Sequence, residues 1–340
     1  MDYAGLLRDF KVNRELTDFE KKNHLNQKNK LNIYPHYQLS VIKMNSTYLE
    51  LVDKWYGSKG FLNLISIAFL ILFSGFALPL AIDVTLQGLG LRPTISTEEH
   101  ILAYGVFLIA ILLPTIGTFF WLLRKESFSF THYPTIFNRK SKMVYIFRVD
   151  GSILQASWDE IYFTISQVDS ANKYCNILGH ILSPDKKLIL KSFSLSVSET
   201  NSKGGLELLK RHWEFVRRYM EDGPDSVSDQ IEFCLPISEK KESLWFGIHR
   251  LLANSSSTTP LGLPILIVSI TFDLLTVPFR HIAILSSRIP FWPTKVTSDC
   301  IVELNDPYAI EGNSKGERIE VFPEAAEAAG VRFKSPPLSE

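Results

Sequence analysis

The sequence predicts an α+β membrane protein in which a transmembrane helical hairpin precedes an antiparallel β domain closed by one helix. Three observations carry this expectation. Two charge-free stretches of 22 and 23 residues lie early in the chain, a run of short alternating segments follows, and one amphipathic helix ends that run. The composition agrees. Among 340 residues, 36 Lys+Arg balance 36 Asp+Glu, yet 46% are hydrophobic and mean hydropathy is +0.06. The apolar residues must therefore be concentrated in part of the chain. The length suits about two domains, or one domain with attachments. Zero net charge excludes a nucleic-acid binder held by a basic field. Cys175, Cys234 and Cys300 are too few and too scattered for a disulfide framework or a paired-cysteine metal knuckle.

Residues 1–60 read as an N-terminal cytoplasmic arm, largely extended, with one helix near Leu16–Asn23. Within it, Met44–Gly57 predicts a short amphipathic helix lying at the membrane surface. Thr47 and Glu50 have capping-box spacing, Gly57 suits the far end, and Leu49, Val52 and Tyr56 share a face.

Phe61–Ile82 and Ile101–Leu123 are the predicted spans, since a hydrocarbon core about 30 Å thick needs ~20 apolar helical residues. Roughly sixty mostly polar residues precede the first, so it is not a signal peptide. Pro79 and Pro114 are tolerated inside membrane helices. Lys43, Lys54 and Lys59 lie before the pair, and Arg124, Lys125, Arg139, Lys140 and Lys142 after it. The 83–100 connection has Arg92 against Asp83, Glu98 and Glu99. The positive-inside rule places both ends of the hairpin in the cytoplasm. Trp55, Tyr56 and Trp121 then fall where an interfacial aromatic belt is expected. Neither span contains an ionisable residue, so the pair reads as an anchor rather than a channel.

Residues 124–222 read as a cytoplasmic domain. Ser127–His132, Met143–Val149, Ser152–Ser157, Ile161–Val168, Tyr174–Ile181 and Lys187–Phe193 each predict a strand. Asp150-Gly151 is a two-residue hairpin signal, and Trp158 is expected to plug the core. Gly205–Asp222 predicts a helix whose stripe is Leu206, Leu209, Trp213, Val216 and Met220, terminated by Gly223-Pro224. Lys210, Arg211, Arg217 and Arg218 lie off that stripe, where solvation is the default. Arg139, Lys140 and Lys142, with Trp55 and Tyr56, are the candidate contacts for anionic headgroups or a partner; the alternative for the basic turn is a solvated loop.

Residues 223–287 combine a polar connector with a third apolar stretch, Leu261–Leu285, interrupted by Pro264, Asp273, Pro278, Arg280 and His281. A crossing would bury Asp273, so an interfacial or re-entrant segment, or a helix packed on the cytoplasmic domain, is favoured over a third span. Asp273, Arg280 and His281 form a polar cluster that reads as an ion pair allowing that placement. Residues 288–340 read as a C-terminal tail, mobile from Asn313, with a helical turn near Glu324–Ala329.

Catalytic signatures are absent: no Gly-x-Ser-x-Gly, His-Glu-x-x-His, Walker or Gly-x-Gly-x-x-Gly pattern occurs, and no two histidines are three or four apart. Cys175 and His180 share a predicted strand region, where a core cysteine is favoured over a thiol site. The sequence thus suggests no enzyme, cofactor or metal.

Phe137-Asn-Arg-Lys-Ser-Lys-Met-Val-Tyr-Ile-Phe-Arg, Asp150-Gly and Ala156-Ser-Trp158 resemble strands of bacterial membrane-tethered pleckstrin-homology-like domains, which implies a β-barrel capped by a C-terminal helix over roughly 127–222. Together with Leu39–Tyr56, Trp213–Met220, Phe291-Trp-Pro and Asp306-Pro-Tyr, the chain over most of 30–310 resembles an uncharacterised proteobacterial family of two-span inner-membrane proteins associated with type VI secretion effector loci. That resemblance implies an inner-membrane accessory or immunity protein that binds a secreted effector or secretion component without catalysis. The alternative is a lipid-binding or envelope-stress sensor. The resemblance supplies no functional residues.

Overall fold

Strand-forming alternation begins earlier than predicted. In the computed structural model, which describes residues 2–93, 98–167, 173–256 and 263–312, Val41–Met44 (β1) and Tyr48–Leu51 (β2) form a hairpin. This replaces the amphipathic helix predicted over Met44–Gly57, for one local reason and one distant one. Asn45 Oδ1 accepts from the backbone N–H of Thr47 and Tyr48, both at 2.8 Å, which favours a turn over a helix. Thr47 Oγ1 donates to the carbonyl of Ile301 (3.0 Å) and Glu50 accepts from Trp292 Nε1 (2.8 Å), so neither caps a helix. Leu49 and Leu51 enter the core while Tyr48 faces the opposite cluster, a period of two.

A 3₁₀ turn at Tyr56–Ser58 leads to Phe61–Gly88 (α2), and Glu98–Glu126 (α3) returns. These contain the two predicted spans. The chain then forms Thr135–Asn138 (β3), Met143–Phe147 (β4) and Ile153–Ser157 (β5). β3 pairs with β2, Leu51 opposite Thr135 and Tyr48 opposite Asn138. The helical hairpin is thus inserted between two neighbouring strands of one sheet. That sheet runs β5-β4-β3-β2-β1-β9, where β9 is Ile310–Glu311.

Most predicted strands are present at β4 to β8. The exception is Ser127–His132, a loop that borrows its pairing from Arg288: the Arg288 N–H donates to Ser129 O and the Thr131 N–H to Arg288 O, each 2.8 Å. The Asp150-Gly151 hairpin forms with a longer turn than the two-residue one expected. Gly151 N–H donates to Arg148 O (2.9 Å) and Gly151 sits at φ +83, so a bulge follows the turn.

Tyr162–Gln167 (β6), Tyr174–Leu182 (β7) and Ile189–Thr200 (β8) make a second antiparallel sheet, ordered β6-β7-β8. Among the described residues the two sheets do not close into the barrel that the sequence suggested. They share one core with Lys203–Glu221 (α4). Trp158 is fully buried and stacks on Trp213 with ring centroids 5.6 Å apart, Phe163 lying 4.8 Å from Trp213. Leu209, Val216 and Met220 complete the predicted stripe. Ser202 Oγ accepts from Gly205 N–H at the start of α4, and Gly223 at φ +102 stops it.

One placement on this helix departs from expectation. Arg217 is buried rather than solvated, bonded to Glu214 and Asp222 at 2.9 Å each. The N-terminal arm covers that face: Leu31 N–H donates to Glu214 and Arg218 to Ile33 O. Cys175 lies in the core, whereas His180 meets Ser192 Oγ (2.8 Å) and Glu20 (3.4 Å), so the two do not form a site.

The arm is more firmly docked than an extended leader. Its predicted helix is Asp18–Lys22 (α1), with Thr17 and Glu20 completing a capping box. Burial opposes ionisation of Glu20, but the Arg14 guanidinium, His180, Thr17 N–H and Ser166 together hold its carboxyl far below the usual range.

Asp225–Ser228 (α5) and Leu244–Ser256 (α6) structure the predicted connector, and Leu263–Ser286 (α7) occupies the third apolar stretch. α7 packs against both α6 and α2. The chain then returns to the six-stranded sheet through Thr294–Asp299 (α8) and β9, with Asp306 accepting from Ser46 N–H (2.7 Å) and Oγ (2.8 Å). Residues 288–312 are therefore part of the fold rather than a tail; the helical turn expected at Glu324–Ala329 lies outside the described residues.

Candidate functional site at the helix–sheet junction

Two helical stretches, Tyr56–Gln87 and Leu263–Ser286, are long and apolar enough to cross a membrane. Their outward faces are bare. Leu72, Phe76 and Leu78 on α2, Leu113 and Phe120 on α3, and Val268, Leu274 and Leu275 on α7 are exposed. An apolar surface of this extent marks a contact with lipid or protein.

Where these helices meet the sheet, the sequence places a buried polar cluster. Gly60 is the N-cap of α2 at φ +99, and a Cβ there would lie 2.5 Å from the backbone nitrogen of Arg280. Only glycine allows this crossing of α2 and α7. The Arg280 side chain, fully buried, donates to both carboxylate oxygens of Glu242 (Nε 2.6 Å, Nη2 2.8 Å) and to the carbonyl of Tyr56 (2.8 Å). Tyr56 Oη donates to Glu242 (2.5 Å), and its ring lies 4.9 Å from the guanidinium. The sequence had grouped Arg280 with Asp273 and His281; its ionic partner is Glu242, just ahead of α6.

A second ring of contacts surrounds the first. Glu126, at the end of α3, accepts from the N–H groups of Gly60 (2.9 Å) and Asn63 (3.2 Å), while Ser287 Oγ donates to its carbonyl (2.9 Å). A carboxylate at a helix N-terminus suits the exposed amides and the dipole. Lys59 Nζ donates to Phe130 O (2.8 Å). Asp53 ties the loops together, accepting from Trp55, Tyr56 and Tyr133 N–H. Lys54 pairs with Asp2 at 2.9 Å, both buried, and Asn176 Nδ2 donates to the same carboxylate (2.7 Å). Burial opposes ionisation of Asp2, but Lys54 and these hydrogen bonds keep its carboxyl below the usual range. Every charged group here is matched within the fold, so the cluster fixes position.

The candidate contact residues fare differently. Trp55 and Tyr56 are buried in the junction instead of lying at a membrane interface. Arg139, Lys140 and Lys142 occupy the β3–β4 turn, at the end of the strands opposite to the helices. There Arg139 donates to Ser46 O, Lys140 pairs with Glu303, and Lys142 donates to Met220 O and Glu221.

Two clefts flank the sheet. One of about 490 Å³ lies between the arm, β4 and β8, lined by Phe10, Trp55, Phe147 and Lys191. The other, about 410 Å³, lies between the outer sheet face and the C-terminal segment, lined by Lys43, Glu50, Trp292 and Cys300. Burial raises the Glu50 carboxyl and pushes the Cys300 thiol up to about 12, so neither group is prepared as an anion or a nucleophile. Among the described residues no three His, Cys, Asp or Glu are grouped to hold a metal ion.

A family model described as "Family of unknown function (DUF6708)" matches residues 110–304, more than half of the chain. The chain belongs to the DUF6708 family. The match starts inside α3 and ends after α8, so it takes in β3 to β8 and α4 to α8 but not β1, β2 or β9, which complete the six-stranded sheet. No curated protein and no solved structure matches the chain.

Proposed function

We propose that this DUF6708 protein is a non-enzymatic interaction protein anchored in a bacterial inner membrane, presenting a pleckstrin-homology-like domain to the cytoplasm. The observation that carries the membrane reading is the bare apolar surface of α2, α3 and α7, set directly above a junction built around the buried Arg280–Glu242 pair. Exposed Leu, Ile and Phe on three adjacent helices suit hydrocarbon. Both hairpins, α2–α3 and α6–α7, begin and end at the sheet, so the arm, domain and C-terminal segment share one side. The Lys/Arg bias around α2 and α3 makes that side the cytoplasm. Two antiparallel sheets closed over by α4 support the pleckstrin-homology-like reading.

Within this reading the partner is a protein, and the family resemblance makes it a secreted effector or secretion component, with this chain as an accessory or immunity protein. The test is co-purification: the detergent-solubilised full chain, co-expressed with the product of the adjacent gene, should elute as a stable complex and relieve any toxicity of that product. Separate elution together with undiminished toxicity would sink the proposal.

A further inference from the structure

We propose that the helix-facing end of the β domain is itself a lipid-contact surface, seated on the headgroups of the bilayer that the helices enter. This rests on the membrane reading above and adds the residues that touch the interface.

Phe128 is the first observation. It lies two residues beyond α3, with a backbone φ of +61 and its side chain 70% exposed. A bulky residue in the left-handed region is strained, and in water the exposed ring offers no compensating contact. Trp245, in the first turn of α6, is the second: it is 71% exposed, beside exposed Leu244, while Leu285 is bare at the end of α7. Trp121, one turn before the end of α3, is also exposed, with Lys125 Nζ 5.6 Å from its ring centroid. These rings come from separate segments that converge only in the fold.

Charge is the third observation. Arg124 and Arg288 are exposed at this end, and Lys241 reaches the carbonyl of Leu285. Glu126 and Glu242 at this end are buried and occupied by Gly60, Asn63 and Arg280, Asp53 is held by the N–H groups of Trp55, Tyr56 and Tyr133, and exposed Asp9 lines a cleft with Lys125. Asp150 is exposed in the neighbouring turn with Arg148 beside it in sequence. Bare aromatic rings among cations are the chemistry that an anionic phospholipid surface accepts. The opposite end of the strands offers a contrast, its Arg139, Lys140 and Lys142 being engaged within the fold.

The test uses the full chain in vesicles containing phosphatidylglycerol, with Cys300→Ala as background and an environment-sensitive fluorophore on one introduced cysteine. Phe128→Cys and Trp245→Cys probe the proposed surface, Leu72→Cys probes α2, and Leu304→Cys, on the far side and 94% exposed, is the aqueous reference. Labels at 128 and 245 should be quenched by headgroup-level nitroxide lipids at least about twofold more than the label at 304, with the label at 72 quenched by deep nitroxides. If 72 is quenched while 128 and 245 behave like 304, the lipid-contact surface is wrong and the membrane reading stands. An unquenched label at 72 overturns both.

Discussion

The Arg280–Glu242–Tyr56 cluster permits a quantitative test of what holds the apolar helices to the sheet. Replacing Arg280 with Met leaves the Glu242 carboxylate buried with Tyr56 Oη as its remaining hydrogen-bond partner in the cluster. Removing one member of a buried ion pair costs about 3–5 kcal/mol. The carbonyl of Tyr56, which accepts from Arg280 at 2.8 Å, loses a donor at a further cost of about 1 kcal/mol. For a chain of this size about 5 kcal/mol lowers Tm by roughly 7 °C. Arg280→Met/Glu242→Leu/Tyr56→Phe removes the charges and hydroxyl together and should recover at least about half of that loss, because an apolar replacement avoids the unpaired charge. Thermal unfolding of the detergent-purified full chain, followed by loss of the monodisperse peak on gel filtration, measures both. A single-variant shift below about 3 °C, or a triple variant no better than the single, would refute the reasoning.

Further outcomes follow from other parts of the fold. Gly60→Ala places a Cβ against the Arg280 backbone at a φ of +99 and should destabilise by about 1–3 kcal/mol, read in the same thermal assay, whereas Gly75→Ala, with open space around it, should not. Trp158→Ala empties the centre of the aromatic core and should cost about 3–5 kcal/mol, with collapse of the near-ultraviolet dichroism. Burial pushes His132 and His212 down to about 3, far below their unfolded value of about 6.5. Each folded imidazole thus stays neutral while the unfolded one gains a proton. Stability is full above pH ~6.5 and declines as pH falls from there toward 3, by up to about 1.4 kcal/mol per pH unit for each histidine. Denaturant midpoints at pH 7 and 5 check the sign, and His212→Asn should reduce the slope.

The parts of this fold that could be read from sequence are those specified by local periodicity. The stripe from Leu206 to Met220, the β4–β5 hairpin with Trp158 behind it, the long charge-free stretches and the helix near Leu16–Asn23 each need only a few neighbouring residues. The Met44–Gly57 segment failed because its capping-box spacing also suits a turn, and the choice rests on Ile301 and Trp292, some 250 residues away. The barrel expectation took Ser127 as the start of the sheet; its opening strands precede the helices. The junction was legible only in part. Arg280 stood out as a charge in an apolar run, but Glu242 sits in an unremarkable Lys-Lys-Glu stretch and Asp2 pairs with Lys54 across 52 residues. Trp55 and Tyr56 were placed by proximity to a span, and their side chains turn inward because Asp53 folds the loop around its carboxylate.

The insertion of α2–α3 between β2 and β3 bears on the order in which this protein assembles. Leu51 must find Thr135 across 83 intervening residues, a non-local pairing of the kind that slows folding. Once the hairpin has formed, its two ends lie side by side, and the chain still to be closed shrinks to the 17 residues outside the helices, 52–60 and 127–134. In loop-closure terms that lowers the entropic cost by about 1.4 kcal/mol, or tenfold in the local concentration of one strand about the other. Helix pairing thus acts as a splint for the sheet. β1 and β2 leave the ribosome first yet must wait, edge exposed, until α3 is in place.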